Sequence, residues 1–165
     1  MGDPRKQRKK YTRPTHPWKS ERILEENELC KKYGLKNKAE VWRAKSTLKG
    51  FRHQARTLLG MPAEDEEVKK ETKQLIDKLN RLGIMSSQSL EDVLSLNVED
   101  ILERRLQTLV ASKGIAHTVG QARQFITHGH IKVGGKVVDV PRYPVYKKEE
   151  DTIELVKPLK VAKSA

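Results

Sequence analysis

Between Val41 and Gly60 the chain reads VWRAKSTLKGFRHQARTLLG, twenty residues without an aspartate or glutamate. Val41, Ala44, Leu48, Phe51, Ala55 and Leu58 recur at alternating steps of three and four, the spacing that lines one face of an α-helix. Lys45, Lys49, Arg52 and Arg56 repeat that spacing one residue later, which sets a cationic stripe about 100° around the same helix. Like charges at i,i+4 oppose helix formation by roughly 0.2–0.5 kcal/mol per pair. A stripe of four with no interspersed acid is therefore expected to meet an anionic partner, with the apolar face turned to a core.

The rest of the sequence narrows that partner. The 165 residues carry 34 Lys and Arg against 22 Asp and Glu, a formal net charge of +12. Residues 1–60 hold +11 of it and residues 103–165 hold +6, whereas residues 61–102 are at −5, so a polyanion is expected at the two ends. Only 36% of residues are hydrophobic and 5% aromatic, which allows a thin core. An anionic membrane surface would call for an exposed apolar face or a lipidation signal, and no run approaches the ~20 apolar residues of a spanning helix. The N-terminus lacks the apolar centre of a secretory signal, so an intracellular, cytoplasmic location is expected. The single cysteine, Cys30, excludes an intramolecular disulfide and a zinc site of several thiolates, and reads as a small buried helix residue.

The first nineteen residues place Arg5, Lys6, Arg8, Lys9, Lys10, Arg13 and Lys19 among Pro4, Pro14 and Pro17. Such a basic arm cannot bury enough apolar area to fold alone and is expected to order against phosphates. A helix follows from an N-cap at Ser20 to about Tyr33, ending at Gly34. Asn37 to Glu40 reads as a capping box that opens the striped helix, and Gly60-Met61-Pro62 ends it. From Ala63 a packing helix has acids in its first turn and Val68, Leu75, Ile76, Leu79 and Leu82 on its apolar side. Ser87 or Ser89 opens a short turn through Leu96, and Asn97 caps a helix whose face is Val98, Ile101, Leu102, Leu106, Leu109 and Val110, running to Gly114.

The remaining stretch, from Thr118, contains the pair His128 and His130. Thr118 to Gln121 reads as a second capping box, and its helix turns Ala122, Phe125 and Ile126 inward. Gly129 stands where the chain needs a left-handed residue, and Gly134-Gly135 supplies a tight hairpin between HIKV and KVVDV. A last strand pair is expected at 145–147 and 152–155. As zinc ligands the two histidines lack a third donor beyond His117, and as a catalytic base neither has an evident acid and nucleophile in a closed pocket. With Arg123, Gln124 and Lys132 they are expected instead to form a polar, cationic rim.

The segment Glu103–Tyr143, with Ala122-Arg123-Gln124, then His128-Gly129-His130-Ile131 and Val137-Val138, resembles the alpha-L RNA-binding motif, the S-four domain. The stretch RPTHPWKSERILEENELCKKYGLKNKAEVWRAKSTLKGFRHQARTLLG is similar to the N-terminal half of the archaeal and eukaryotic branch of the S-four ribosomal family. The resemblance implies an α+β fold: an all-helical N-terminal region with an extended basic arm, residues 1–102, then a two-helix, antiparallel-sheet RNA-binding domain, residues 103–165. It implies a non-enzymatic constituent of the small ribosomal subunit that binds small-subunit ribosomal RNA early in assembly. By the same resemblance it lies near the messenger entry channel beside the ribosomal protein numbered five, and bears on decoding accuracy. Carried over by motif position, the RNA-facing residues are Arg104, Arg105, Lys113, His117, Thr118, Gln121, Ala122, Arg123, Gln124, His128, Gly129, His130 and Lys132. No metal or cofactor is expected. The sequence departs from the bacterial pattern at Gln107, where that form has an acid, at Val119, where it has an arginine, and at Gly134, where it has an asparagine. An RNA-modifying enzyme or a free RNA-binding protein carrying the same motif is the alternative reading; the lack of an acid/base constellation or a phosphate-binding glycine loop in the first 102 residues weighs against the enzyme.

Overall fold

The computed structural model describes residues 9–62, 65–86 and 89–156. Arg5, Lys6, Arg8, the expected helix start at Ala63 and the expected cap at Ser87 lie outside the described residues. In chain order the elements are α1 (Ser20–Lys32), α2 (Lys38–Leu59), α3 (Glu66–Leu82), α4 (Leu90–Ser95), α5 (Val98–Glu103), α6 (Leu106–Ser112) and α7 (Val119–Thr127). Then come β1 (Ile131–Val133), β2 (Lys136–Val137), a 3₁₀ turn (Lys147–Thr152) and β3 (Ile153–Leu155). The fold is α+β.

The acid-free segment is the longest helix, and its periodicity holds: Val41, Ala44, Leu48, Ala55 and Leu58 are buried. Leu48, Ala55 and Leu58 meet Leu75 and Leu79 of α3 and Val93 and Leu96 at the end of α4 in one apolar cluster. A second cluster, Leu106, Val110, Ala122, Ile126, Ile131, Val145 and Ile153 among its members, lies between α6–α7 and the sheet. Tyr33, Ala44 and Leu102 form a third where α1, α2 and α5 meet. Burial and the carboxylates of Glu99 and Glu103 push the Tyr33 phenol up to about 12, so at neutral pH it donates to both, at 3.2 and 3.3 Å. Cys30 is half-buried, and burial raises its thiol.

The helix expected from Val98 onward is two helices. The break at Arg104-Arg105 is imposed from outside the segment: Leu106 N–H donates to Tyr143 O (2.8 Å), Gln107 N–H to Pro141 O (3.3 Å), and Val145 N–H to Arg104 O (3.0 Å). Backbone groups that would have closed helical rings pair with the loop at 141–145, and Arg105 forms a bridge with Pro144. The strand expected at 145–147 is likewise absent. Glu149 accepts from the Tyr146 N–H and opens the 3₁₀ turn, and β3 pairs antiparallel with β1 instead, Ile131 opposite Leu155 and Val133 opposite Ile153. The sheet order is β2-β1-β3, with the Gly134-Gly135 hairpin at φ 56° and 78° joining the first pair.

Two cap details also differ. α1 begins at Ser20 itself with no side-chain cap. Asn37 precedes α2 without a side-chain cap bond, the Glu40 N–H donating to the Asn37 backbone O (3.1 Å) instead, and the Glu40 carboxylate is engaged by distant arginines.

At the end of α3, Gly83 is left-handed (φ 67°), and a Cβ there would stand 2.9 Å from the Arg104 guanidinium carbon. That guanidinium cannot swing aside freely: it donates to Leu82 O (2.9 Å), Glu150 (2.9 Å) and Val145 O (3.3 Å). Gly83→Ala is therefore expected to destabilise the fold by about 1–2 kcal/mol from the backbone alone, with more from displacing Arg104, measurable as a lower midpoint in urea unfolding.

Candidate nucleic-acid interface

The rim at the α7–β1 junction is built by local geometry. Thr118 Oγ1 accepts the Gln121 N–H (3.1 Å), and Gln121 Oε1 accepts the His117 N–H (2.8 Å), a box displaced by one residue from the expected pattern. At the other end of α7 Gly129 adopts φ 70°, and the His130 N–H returns to Phe125 O (2.9 Å). This turn brings the two imidazoles together as a near-parallel stack, centroids 6.1 Å apart and planes at 18°, while His130 sets its ring edge to edge-on contact with Phe125 at 6.3 Å. His117, Thr118, Gln124 and His128 are exposed; Gln121, Gly129, His130 and Lys132 are half-buried. Lys132 faces Val137 on one neighbouring strand and Glu154 on the other. Among the described residues, no three His, Cys, Asp or Glu side chains gather as a metal site.

The arginines assigned by resemblance behave differently, and so does Arg123 as a member of the expected rim, since its guanidinium turns to Glu40 and Gln107. Arg105, 7% exposed, and Ala122, fully buried, are corrections to the RNA-facing set, since neither presents its side chain to a surface ligand. Arg105 Nη2 donates to Glu40 Oε2 (2.5 Å), and Arg123 Nη2 donates to Glu40 Oε1 (2.8 Å). One carboxylate from the first turn of α2 thus holds the starts of α6 and the body of α7. Burial alone would raise Glu40, but hydrogen bonds and charge from Arg123 and Arg105 outweigh it and hold the carboxyl below its usual range. Beside it, the buried Gln107 amide donates to Gly34 O (2.9 Å) and Val119 O (3.0 Å), and its oxygen accepts from Arg123 (3.3 Å). Arg104 is committed to Leu82, Val145 and Glu150 as above. Lys113 donates to Glu150 O and lies 3.7 Å from Asp151. These four cations tie the two halves of the chain, or the module's own loops, together.

On α2 the stripe divides in the same way. Lys49 and Arg56 are exposed and have no protein ion pair among the described residues. Arg52 donates to Leu96 O (2.5 Å) and pins the end of α4; Lys45 lies 3.6 Å from the buried Glu26. The four border a shallow concavity of about 330 Å³ with Leu48 and Val98. The arm, expected to lack structure alone, is laid on this helix from Lys9 onward. Thr12 N–H donates to Ser46 Oγ (3.1 Å), Tyr11 packs on Trp42 with centroids 6.0 Å apart, and Lys9 and Arg43 sit over the Tyr11 ring. Lys9, Lys10 and Arg13 remain exposed.

Exposed cations on α2 and the arm, two neighbouring histidines at a left-handed helix–strand turn, and a carboxylate that joins α2 to α6 and α7 mark a basic protein with a small helix–sheet module. Residues 104–153 match the S4 domain, and residues 4–103 match the ribosomal protein S4/S9 N-terminal domain. The chain is 54% identical over 154 residues to the small ribosomal subunit protein uS4 of Methanothermobacter thermautotrophicus, covering 93% of this chain and 89% of that one. It is 55% identical over 155 residues to uS4 of Picrophilus torridus, covering 93% and 85%, and 51% over 156 residues to that of Saccharolobus solfataricus, covering 93% and 85%. The chain belongs to the uS4 family of small ribosomal subunit proteins.

Proposed function

We propose that this protein is a structural constituent of the small ribosomal subunit, that it acts by binding ribosomal RNA without catalysis, and that it works in the cytoplasm as part of that particle. Residues 1–102 form one RNA-binding unit and residues 103–165 the other. The first offers Lys9, Lys10, Arg13, Lys49 and Arg56; the second offers His117, Thr118, Gln124, His128, His130 and Lys132. Phosphate contacts fix position on folded RNA, and a rigid polar rim reads helix shape. The observation that carries this reading is the Glu40 lock on Arg105 and Arg123. Two cationic surfaces held in one fixed relation suit a protein that sets two RNA helices against each other, and so nucleates the body of the subunit. A place beside the ribosomal protein numbered five, near the messenger entry channel and with a bearing on decoding accuracy, is part of the same proposal and rests on family resemblance.

The test is sedimentation of cell lysate in moderate salt, following the protein across the gradient by mass spectrometry. Co-migration with the small subunit through a salt wash that strips loosely held factors is the expected result. Recovery only at the top of the gradient would defeat the proposal.

A further inference from the structure

Trp18 is 90% exposed, the most exposed large apolar side chain among the described residues. Its backbone surroundings are nevertheless held. Arg22 Nη2 donates to His16 O (3.2 Å) and Pro17 O (2.7 Å), the two carbonyls that precede Trp18. Arg22 Nη1 is fixed in turn by Glu26 Oε1 (2.9 Å), a carboxylate with no solvent exposure that also accepts the Trp42 indole N–H (3.0 Å). Pro17 restricts φ on one side and α1 begins at Ser20 on the other. A buried ion pair is a costly way to hold two carbonyls, and what it holds is a turn that keeps an indole out in water. The arm's other aromatic, Tyr11, is packed on Trp42.

The setting selects the occupant. From Lys9 to Ser20 there is no acid, while Lys9, Lys10, Arg13 and Lys19 are all exposed; Lys19 makes one exposed pair with Glu21 at 3.2 Å. The side chains flanking Trp18 in the chain, from Thr15 to Ser20, are polar apart from Pro17, so its described neighbours in sequence supply no apolar ring of the kind that seals a protein–protein anchor. The next exposed apolar residue, Leu24, is followed by Glu25 and Glu28 on α1, an acidic stretch that confines an anionic partner to the arm. We propose that Trp18 is a stacking platform for an unpaired base of the bound RNA, presented by the Arg22–Glu26 bracket and flanked by cations that take the adjoining phosphates. This rests on the ribosomal RNA reading above and adds to it a contact with a nucleobase face, distinct from the phosphate contacts of α2 and the rim.

Unpaired bases splayed from loops and bulges are the RNA groups that stack on aromatic side chains. The full-length protein would be titrated with small-subunit ribosomal RNA at several salt concentrations as wild type, Trp18→Phe and Trp18→Ala. Base–aromatic stacking predicts a loss of roughly five- to hundredfold in affinity for Trp18→Ala and only a few-fold for Trp18→Phe. The salt slope should stay constant across all three, since no phosphate contact is removed. Ultraviolet cross-linking of the wild type should place a nucleotide adduct on the peptide containing Trp18. Because the indole is exposed, Trp18→Ala should unfold at the wild-type temperature, which separates the result from misfolding. Equal affinity of Trp18→Ala and wild type would overturn the proposal while leaving the RNA reading standing. A loss of equal size in the Phe and Ala variants, or a changed salt slope, would also overturn it. A wild type that fails to bind this RNA would overturn the underlying reading and the stacking contact together.

Discussion

Replacing Glu40 with alanine is expected to destabilise the protein by about 3–5 kcal/mol, the cost of leaving buried cations without their counter-charge. For a chain of this size that is a fall of about 6–20 °C in the unfolding midpoint. Both partners lose, unequally. Among the described residues Arg105, almost fully enclosed, has Glu40 as its one side-chain partner, whereas Arg123 is a quarter exposed and retains Gly34 O (3.4 Å) and Gln107. The order of damage in thermal or urea unfolding should therefore be Glu40→Ala, then Arg105→Ala, then Arg123→Ala. The sign of the pH dependence follows from the lowered carboxyl. A group whose pKa falls on folding contributes stability that is complete above its unfolded value of 4.5 and is lost as pH drops through the lower folded value. Wild-type stability should thus decline in acid below that value, and the Glu40→Ala variant should show a shallower decline there.

Removing Lys49 and Arg56 together is expected to weaken binding to small-subunit ribosomal RNA by roughly ten- to fiftyfold near physiological salt, and to reduce the slope of log affinity against log salt by about 1.5–2. These two are the stripe cations that pair with no acid among the described residues, so folding should be nearly unaffected. Arg105→Ala and Arg123→Ala are expected to behave in the opposite way, lowering stability with little change of salt slope. The pair of measurements separates cations that hold phosphate from cations that hold the fold. If Lys49→Ala/Arg56→Ala bound with the wild-type slope, α2 would be a solvated face and only the arm and rim would remain as RNA contacts.

What could be read in the sequence was what depends on near neighbours. The α2 face, the α3 face, the left-handed turn at Gly129 and the Gly134-Gly135 hairpin all follow from spacings of a few residues, and the structure keeps them. The break at Arg104-Arg105 was not legible, because the apolar period from Val98 to Val110 continues through it and the backbone pairing that interrupts it comes from residues about forty positions later. The Val145-Tyr146-Lys147 run has strand-like composition, but Glu149 three residues past Tyr146 closes a tighter local turn. For the site, the approach of His128 to His130 across the Gly129 turn follows from near neighbours, whereas Arg123, expected in the same rim, is committed with Arg105 to Glu40, which could not be seen in residues so far from their partner. One signal was available: Glu40 is the last acid before 23 acid-free residues. Its spacing from Asn37 fits a helix cap, and the distant arginines take its carboxylate instead.

The Glu40 lock also sets a schedule. Its carboxylate is separated by 65 residues from Arg105 and by 83 from Arg123. At a synthesis rate of ~5–20 residues per second, Glu40 leaves the peptidyl transferase centre about 3–13 s before Arg105 and about 4–17 s before Arg123. By the end of that interval the arm and α1–α3 have been synthesised, but the packing of α2 on α6 and α7 through Glu40 is not yet imposed. On the proposed RNA reading, the first surface is thus open to one RNA helix while the geometry toward the next is not yet set, and the arrival of the two arginines sets it.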